Sequence, residues 1–302
     1  MTVPIGHRNV VVVGLDGSES ARGAVRWAAV EAARRGASLR IVHAEPPLPV
    51  EALDPSGSAR RALHEEAVRW VQSAIAAAGE SAPDVGVQVR IEIGSASRLL
   101  ERESRSAALV VVGSRGLGGF AGLVLGSVAV TLSCHAFCPV VVVRDDDSAP
   151  DGPVVVGVNG APENWYVLDR AFEEAEARGT RLVAVHAWQP PLRTARIAAS
   201  VGIVWSELDT AREALVSQRL NACADRHPGV KVTTHVVHGS AAHHLVEQSE
   251  GAALLVVGAR GSGGLAGMVL GSTSQAVLRH APCPVLLVRP SLSEQIARTQ
   301  QA

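Results

Sequence analysis

The chain repeats itself, and that repeat limits the possible folds more than any other feature. Val11-Val-Val-Gly14-Leu-Asp16-Gly returns as Val154-Val-Val-Gly157-Val-Asn159-Gly, placing Gly14 and Gly157 143 residues apart. Leu39-Arg-Ile-Val-His43-Ala44 returns as Leu182-Val-Ala-Val-His186-Ala187 at the same offset. Later the offset becomes 145: Gly94-Ser-Ala returns as Gly239-Ser-Ala, and Cys138-Pro-Val-Val-Val-Val-Arg144 as Cys283-Pro-Val-Leu-Leu-Val-Arg289. The drift of two residues reads as two small loop insertions in the second copy. Such self-similarity means one domain used twice, and 302 residues suit two domains of about 150 each. The expected domains are 1–147 and 148–290, followed by a tail, 291–302. Asp145-Asp-Asp-Ser-Ala-Pro-Asp-Gly-Pro153 is polar and bears Pro and Gly, as a linker does.

Each copy alternates short apolar runs with amphipathic segments. In the first copy, strands are expected at Val11–Gly14, Leu39–Ala44, about Val85–Ile93, Ala108–Val112 and Pro139–Val143. The third alternates in part, which places it near a sheet edge. Helices are predicted from Ser18 to Arg35 with Gly36 as the stop, over Ser58–Gly79, from near Ser95, and over Ser127–Ala136. Their partners end at Arg178-Gly179, span Ser206–His227 and begin near Ser240. Strands that are apolar throughout and alternate with helices argue for a parallel sheet covered on both faces. Right-handed crossovers then give two tandem doubly wound, five-stranded α/β domains, Rossmann-like or flavodoxin-like. Ligands of such sheets bind beyond the C-terminal strand ends, where the winding reverses. If strands one and four are neighbours there, Asp16 and the loop that opens at Gly113 share one crevice.

That loop carries the chemistry. Gly113-Ser114-Arg115-Gly116 is followed by nine residues, Leu117 to Leu125 with Gly118 and Gly119 among them, and then by Gly126-Ser127. The second copy reads Gly258-Ala259-Arg260-Gly261, nine residues beginning Ser262-Gly263-Gly264, then Gly271-Ser272. Each copy follows a predicted buried strand and precedes a predicted helix. Glycines let backbone approach a ligand without a Cβ in the way, and successive N–H groups can form an anion nest. The helix start adds about half a positive charge and a serine hydroxyl. Arg115 and Arg260 can screen phosphate charge or face water. A glycine loop is often no more than a turn, but two copies in one frame argue for phosphate.

Composition narrows the remaining choices. Net charge is −1, so no overall field draws the chain to nucleic acid or an acidic membrane. No apolar run reaches the roughly 18 residues of a membrane span. Met1-Thr-Val-Pro lacks a basic segment and apolar h-region, so no signal peptide is expected. Cys134, Cys138, Cys223 and Cys283 form no CxxC pair and no metal-ligand spacing with histidine, as suits reduced thiols in a cytoplasmic protein. His243-His244 side chains diverge on a helix, so a surface face is favoured over a metal site. Trp27, Trp70, Trp165 and Trp205 fall on predicted helices and read as packing. His43 and His186 read as hydrogen-bonded strand-end residues rather than bases.

These residues resemble the universal stress protein family in its tandem form, over about 8–144 and 152–289. The family motif is G-x2-G-x9-G-[S/T], and both loops match every fixed position; Asp16 after Gly14, and the paired His-Ala of strand two, support the match. The resemblance implies ATP or AMP, with or without Mg²⁺, held by Gly113, Gly116, Gly126 and Ser127 at the triphosphate. Asp16 would meet the ribose or adenine, and main chain at Ala44 the adenine. The second copy would use Gly258, Gly261, Gly271, Ser272 and Ala187. It also implies pairing through the last strands, Pro139–Val143 and Pro284–Val288, within the chain or in a homodimer, and signalling to an unknown protein partner in stress or growth arrest. Two departures stand out: Asn159 replaces the acid in the second copy, and Ala108 and Ala253 stand where an acid often precedes strand four.

Two enzymatic alternatives remain open. Gly116-x-Gly118-x-x-Ala121 and Gly261-x-Gly263-x-x-Ala266 match a dinucleotide fingerprint. They follow strand four instead of strand one, and Arg144 or Arg289 ends the next strand where an acid is wanted, so an oxidoreductase would take NADP. No Walker or kinase signature and no general base is evident, so little catalysis is expected, with slow hydrolysis of ATP by bound water left open.

Overall fold

The computed structural model describes residues 9–47, 57–117, 125–144, 151–159, 165–189, 205–259 and 270–290. The acidic run 145–147 and the tail 291–302 lie outside these residues. Two compact units divide the chain, Met1–Asp146 and Asp147–Ala302.

Unit one runs β1 (Val10–Leu15), α1 (Glu19–Arg34), β2 (Ser38–Glu45), α2 (Ser58–Ser81), β3 (Val87–Ile93), α3 (Ala96–Glu103), β4 (Leu109–Gly113), α4 (Ser127–His135) and β5 (Val140–Val143). Its strands lie in the order β3-β2-β1-β4-β5, and every pairing is parallel. Unit two repeats the plan with β6 (Val154–Gly157), α5 (Trp165–Arg178), β7 (Leu182–Trp188), α6 (Trp205–Ala224), β8 (Val232–His238), α7 (Ala241–Gln248), β9 (Leu254–Gly258), α8 (Ser272–His280) and β10 (Val285–Val288). Its order is β8-β7-β6-β9-β10, again all parallel. The winding therefore reverses between β1 and β4, and between β6 and β9, which meets the condition that strands one and four be neighbours.

The valine runs form central strands because both of their faces are covered. Val11, Val12, Val13, Val110, Val111, Val141 and Val142 are 0% exposed. Helices α1 and α2 pack together on one face, and α3 and α4 on the other. On α1, Ala24, Val25, Ala28, Ala29 and Ala32 form the buried stripe, spaced at a helical period. Ser18 caps that helix, its hydroxyl accepting the Ala21 N–H at 3.1 Å. Gly36 stops it at φ +58°, a backbone conformation that favours glycine. The partly alternating strand is an edge: Gln88, Val89 and Arg90 of β3 are exposed. Buried Glu103 ties α3 to this edge by accepting from Arg40 Nη1 at 2.8 Å and from Arg90.

Some predicted ends move by a few residues. Helix α2 continues through Gly79 to Ser81, while α6 stops at Ala224 short of the expected His227. There the chain tightens to i→i−3 bonds, from Arg226 N–H to Cys223 O and from His227 N–H to Ala224 O. All four cysteines are buried and unbridged. Burial pushes the Cys223 thiol up to about 11 and the Cys283 thiol up to about 12, leaving both protonated and unreactive at neutral pH.

The strand-end histidines are structural. His43 Nδ1 donates to Leu15 O at 2.8 Å, and His186 Nδ1 to Val158 O at 2.9 Å, each reaching the adjacent strand. His43 also packs edge-on against Trp70, with 5.5 Å between ring centroids. Burial, with Arg212 and Arg219 adding to it, holds His186 below the ordinary histidine range despite its carbonyl bond.

Two outcomes are expected. Replacing Phe172, which is 0% exposed, with alanine costs unit two about 3–5 kcal/mol, read as a lowered urea midpoint. His186 titrates below 6.5 by NMR. The unfolded chain then binds its proton first, so the His186 contribution to stability declines as pH falls below about 6.5.

Candidate functional site

Parallel strands that are neighbours in register end at one rim. Val11, Val12 and Val13 of β1 stand opposite Leu109, Val110 and Val111 of β4, so the segments leaving these strands start side by side. The segment after β1 turns to the α1–α2 face and the one after β4 to the α3–α4 face. Between them lies a cavity of about 370 Å³, within the range of small-molecule sites.

Its walls are of two kinds. Leu15 and Val42 from the strands, Leu99 and Leu100 from α3, and Val112 from β4 form an apolar part, with Gly14, Ala44 and Ala96 at its edge. Asp16, Gly113, Arg115, Gly116, Gly126 and Ser127 form a polar part. Sequence reasoning named the polar part, Gly14 and Ala44, but missed Leu15, Val42, Ala96, Leu99, Leu100 and Val112. Leu99 and Leu100 look like ordinary core-facing residues of an amphipathic helix, and no local signal marks them as cavity wall.

Main-chain bonds shape the loop. Ser114 N–H donates to Val143 O at 2.8 Å, and Gly126 N–H to Ser114 O at 2.8 Å, so the loop leaves β4 and returns to its own base. A Cβ on Gly113 would lie 2.7 Å from the Ser20 backbone; glycine here lets α1 pack against the strand end. A Cβ on Gly116 would fall on Asp16 Oδ2. The carboxylate instead accepts the Leu117 N–H at 3.0 Å, while Leu117's side chain is 61% exposed.

The amides that remain for an anion lie at the start of α4. Its first helical bond runs from Val130 N–H to Gly126 O at 3.1 Å, so Ser127, Val128 and Ala129 carry the N–H groups that no helix satisfies internally. Gly126 is the N-cap and supplies no side-chain hydrogen bond. Ser127, Val128 and Ala129 all line the cavity, together with Arg115. Helix amides and the helix dipole thus meet at one end of the chamber, with Arg115 in the lining, an arrangement suited to phosphate. Among the described residues, the donors lining the cavity are those of a helix start.

Unit two repeats the closure. Ala259 N–H donates to Val288 O at 2.8 Å, and Gly271 N–H to Ala259 O at 2.9 Å. Gly157 and Gly258 end β6 and β9, Ala187 lies on β7, and Ser272 begins α8 behind the Gly271 cap. Ser274 Oγ donates to Gly258 O at 2.7 Å. Asn159 follows the end of β6, where its main-chain carbonyl accepts from Arg219 Nη1 at 3.4 Å. Gly118, Gly119, Arg260, Gly261, Ser262, Gly263 and Gly264 lie outside the described residues, as do Ala121 and Ala266.

Among the described residues, no three metal-binding side chains gather, and His244 turns toward Glu247 with 3.5 Å between them. No described helix is long and apolar enough to cross a membrane.

Comparison with known proteins agrees with this architecture. The sequence profile of the universal stress protein family matches residues 7–144 and again 152–289. A universal stress protein of Mycobacterium tuberculosis is 38% identical over 296 residues, covering 94% of this chain and 97% of the relative. One from Mycolicibacterium smegmatis is 36% identical over 295 residues, covering 93% and 97%. The crystal structure of a universal stress protein from Archaeoglobus fulgidus shares the fold, with a TM-score of 0.66 at 21% identity, covering 94% of this chain and 99% of that one. With the family profile matched twice and close relatives aligned almost end to end, the chain belongs to the universal stress protein family, as a tandem of two family domains.

Proposed function

We propose that unit one binds an adenine nucleotide, ATP foremost, and that occupancy of the site, not turnover, is what a protein partner reads in a stress or growth-arrest response. One observation carries the reading: a single cavity joins an apolar chamber to the uncapped start of α4 and to Arg115. The chamber between Val42, Leu99, Leu100 and Val112 has the character a purine ring needs. Main chain at Ala44, on the β2 rim, would read its edge. Ser127–Ala129 and Arg115 would receive the phosphates, with or without Mg²⁺.

Bound ATP supplies charge and shape as a signal, and the residues around the loop supply grip. Asp16 is the carboxylate nearest the phosphate end, but its oxygens accept the Ser18 N–H at 3.0 Å, the Ser18 hydroxyl at 2.6 Å and the Leu117 N–H at 3.0 Å. Oxygens already accepting three hydrogen bonds are not free to orient a water for attack, which supports little turnover. The same reading extends to unit two, whose loop closes through the same main-chain bonds but whose first strand is followed by Asn159. With no membrane-crossing helix among the described residues, a cytoplasmic site of action is part of the proposal.

Isothermal titration with ATP, AMP and NADPH tests the reading. ATP is expected to bind more tightly than NADPH, and the reverse order would favour the dinucleotide alternative. Gly126→Glu puts a carboxylate against the phosphate end, and Gly116→Glu drives a side chain into Asp16. Each is expected to weaken ATP binding to unit one by about a hundredfold, equivalent to about 3 kcal/mol; unchanged affinity would refute the loop assignment.

A further inference from the structure

The segment that follows β1 does more than border the cavity. Asp16 Oδ1 accepts both the N–H and the hydroxyl of Ser18, which fixes the carboxylate's rotamer. Its other oxygen, Oδ2, holds the Leu117 N–H at 3.0 Å, across 101 residues of sequence. Two residues beyond Ser18, Ser20 Oγ accepts the Arg115 N–H at 3.4 Å. The Ser20 backbone is also what forbids a Cβ on Gly113. Alternate residues of Asp16-Gly-Ser18-Glu-Ser20 therefore grip Arg115 and Leu117 on either side of Gly116.

Unit two cannot make this grip with the same groups. No insertion separates the copies between Gly14 and His43, whose partners Gly157 and His186 both lie 143 residues on. The corresponding stretch is Asn159-Gly-Ala161-Pro-Glu163. An amide replaces the carboxylate, and neither serine hydroxyl is retained. Both loops close at their base, but only the first copy carries the side chains that make this second anchorage.

We propose that Asp16, Ser18 and Ser20 are positioning residues that hold the unit-one phosphate loop in its ligand-ready form before nucleotide arrives, making unit one the tighter of the two sites. The proposal rests on the adenine-nucleotide reading above and adds a role that direct contact with ribose or base does not include. A loop ordered in advance loses less conformational freedom on binding. A charge-assisted bond from a carboxylate to backbone N–H is strong enough to do the ordering.

The sign of one substitution separates this role from simple electrostatics. Removing a negative charge beside the phosphate end should tighten binding by Coulomb's law alone. A brace requires the opposite, because Asp16→Asn loosens Leu117. Ser20→Ala is the second variant: it removes one oxygen, while the cap on α1 belongs to Ser18 and stays intact.

The experiment uses the full chain with Gly271→Glu added, so that titration reads unit one alone. Asp16→Asn and Ser20→Ala are each expected to weaken ATP by about tenfold and to leave adenosine, which has no phosphate, unchanged; Ser20→Thr retains ATP binding. Hydrogen exchange at the 115 and 117 amides of the ligand-free protein is expected to quicken in both weakened variants. Equal losses for ATP and adenosine would reassign these residues to direct contact and overturn the brace, as would unchanged ATP affinity. If the parent ignores ATP, the nucleotide reading fails by itself; exchange at 115 and 117 then decides the brace, with unaltered rates overturning it. For the ranking of sites, unit one read in Gly271→Glu is expected to bind ATP about tenfold more tightly than unit two read in Gly126→Glu, and equal affinities would overturn it.

Discussion

Everything in unit one depends on β1 lying parallel and adjacent to β4. A right-handed crossover sends the chain from β1 to one face of the sheet, and the chain leaving β4 goes to the other. Because the two segments diverge, a gap opens between them at the strand ends. Since neighbouring parallel strands end at a common rim, the turn after Gly14 and the loop after Gly113 both line that gap. The same pairing of β6 with β9 repeats the arrangement in unit two, for the same reason.

The gap differs from the interior in how its polar groups are satisfied. Within the sheet, β1 and β4 pair on both sides, and buried Glu103 has two arginine partners. At the rim, α4 begins behind a glycine with no side-chain cap, so three helix amides face the cavity. The half-buried Asp16 carboxylate lines the same cavity, engaged with N–H and O–H donors of the protein itself. Helix-start amides beside an acid already bound describe a place suited to an anion. The apolar chamber next to it, walled by Leu99 and Leu100, accounts for why the anion would come attached to something flat and apolar.

Much of this was legible from residue order because local rules dominate there. Ser18 and Gly36 bound α1 as cap and stop because one offers a hydroxyl to an orphan amide and the other tolerates positive φ. The partial alternation over about Val85–Ile93 pointed to an edge strand, and Gln88, Val89 and Arg90 are exposed there because an outermost strand is covered less on both faces. The histidines at the ends of β2 and β7 proved to be bonded to main chain of the neighbouring strand, the duller of two readings. The helix ends at Ser81 and Ala224 were less legible, since fraying into tighter turns depends on small differences in packing. Leu99, Leu100, Val42 and Val112 were invisible as site residues, because an apolar side chain facing a cavity has the same pattern as one facing a core.

The residues alone determined two copies, the alternation of strand and helix, the glycine frame and the family, because each follows from periodicity or from spacing within a few tens of positions. Only the tertiary structure decided what Asp16 and Ser20 do. Their partners, Leu117 and Arg115, are about a hundred residues away in the chain, and the bonds exist because β1 and β4 end side by side. Hydrogen bonding acts over about three ångströms, whereas sequence records only distance along the backbone; parallel pairing is what makes the two agree here.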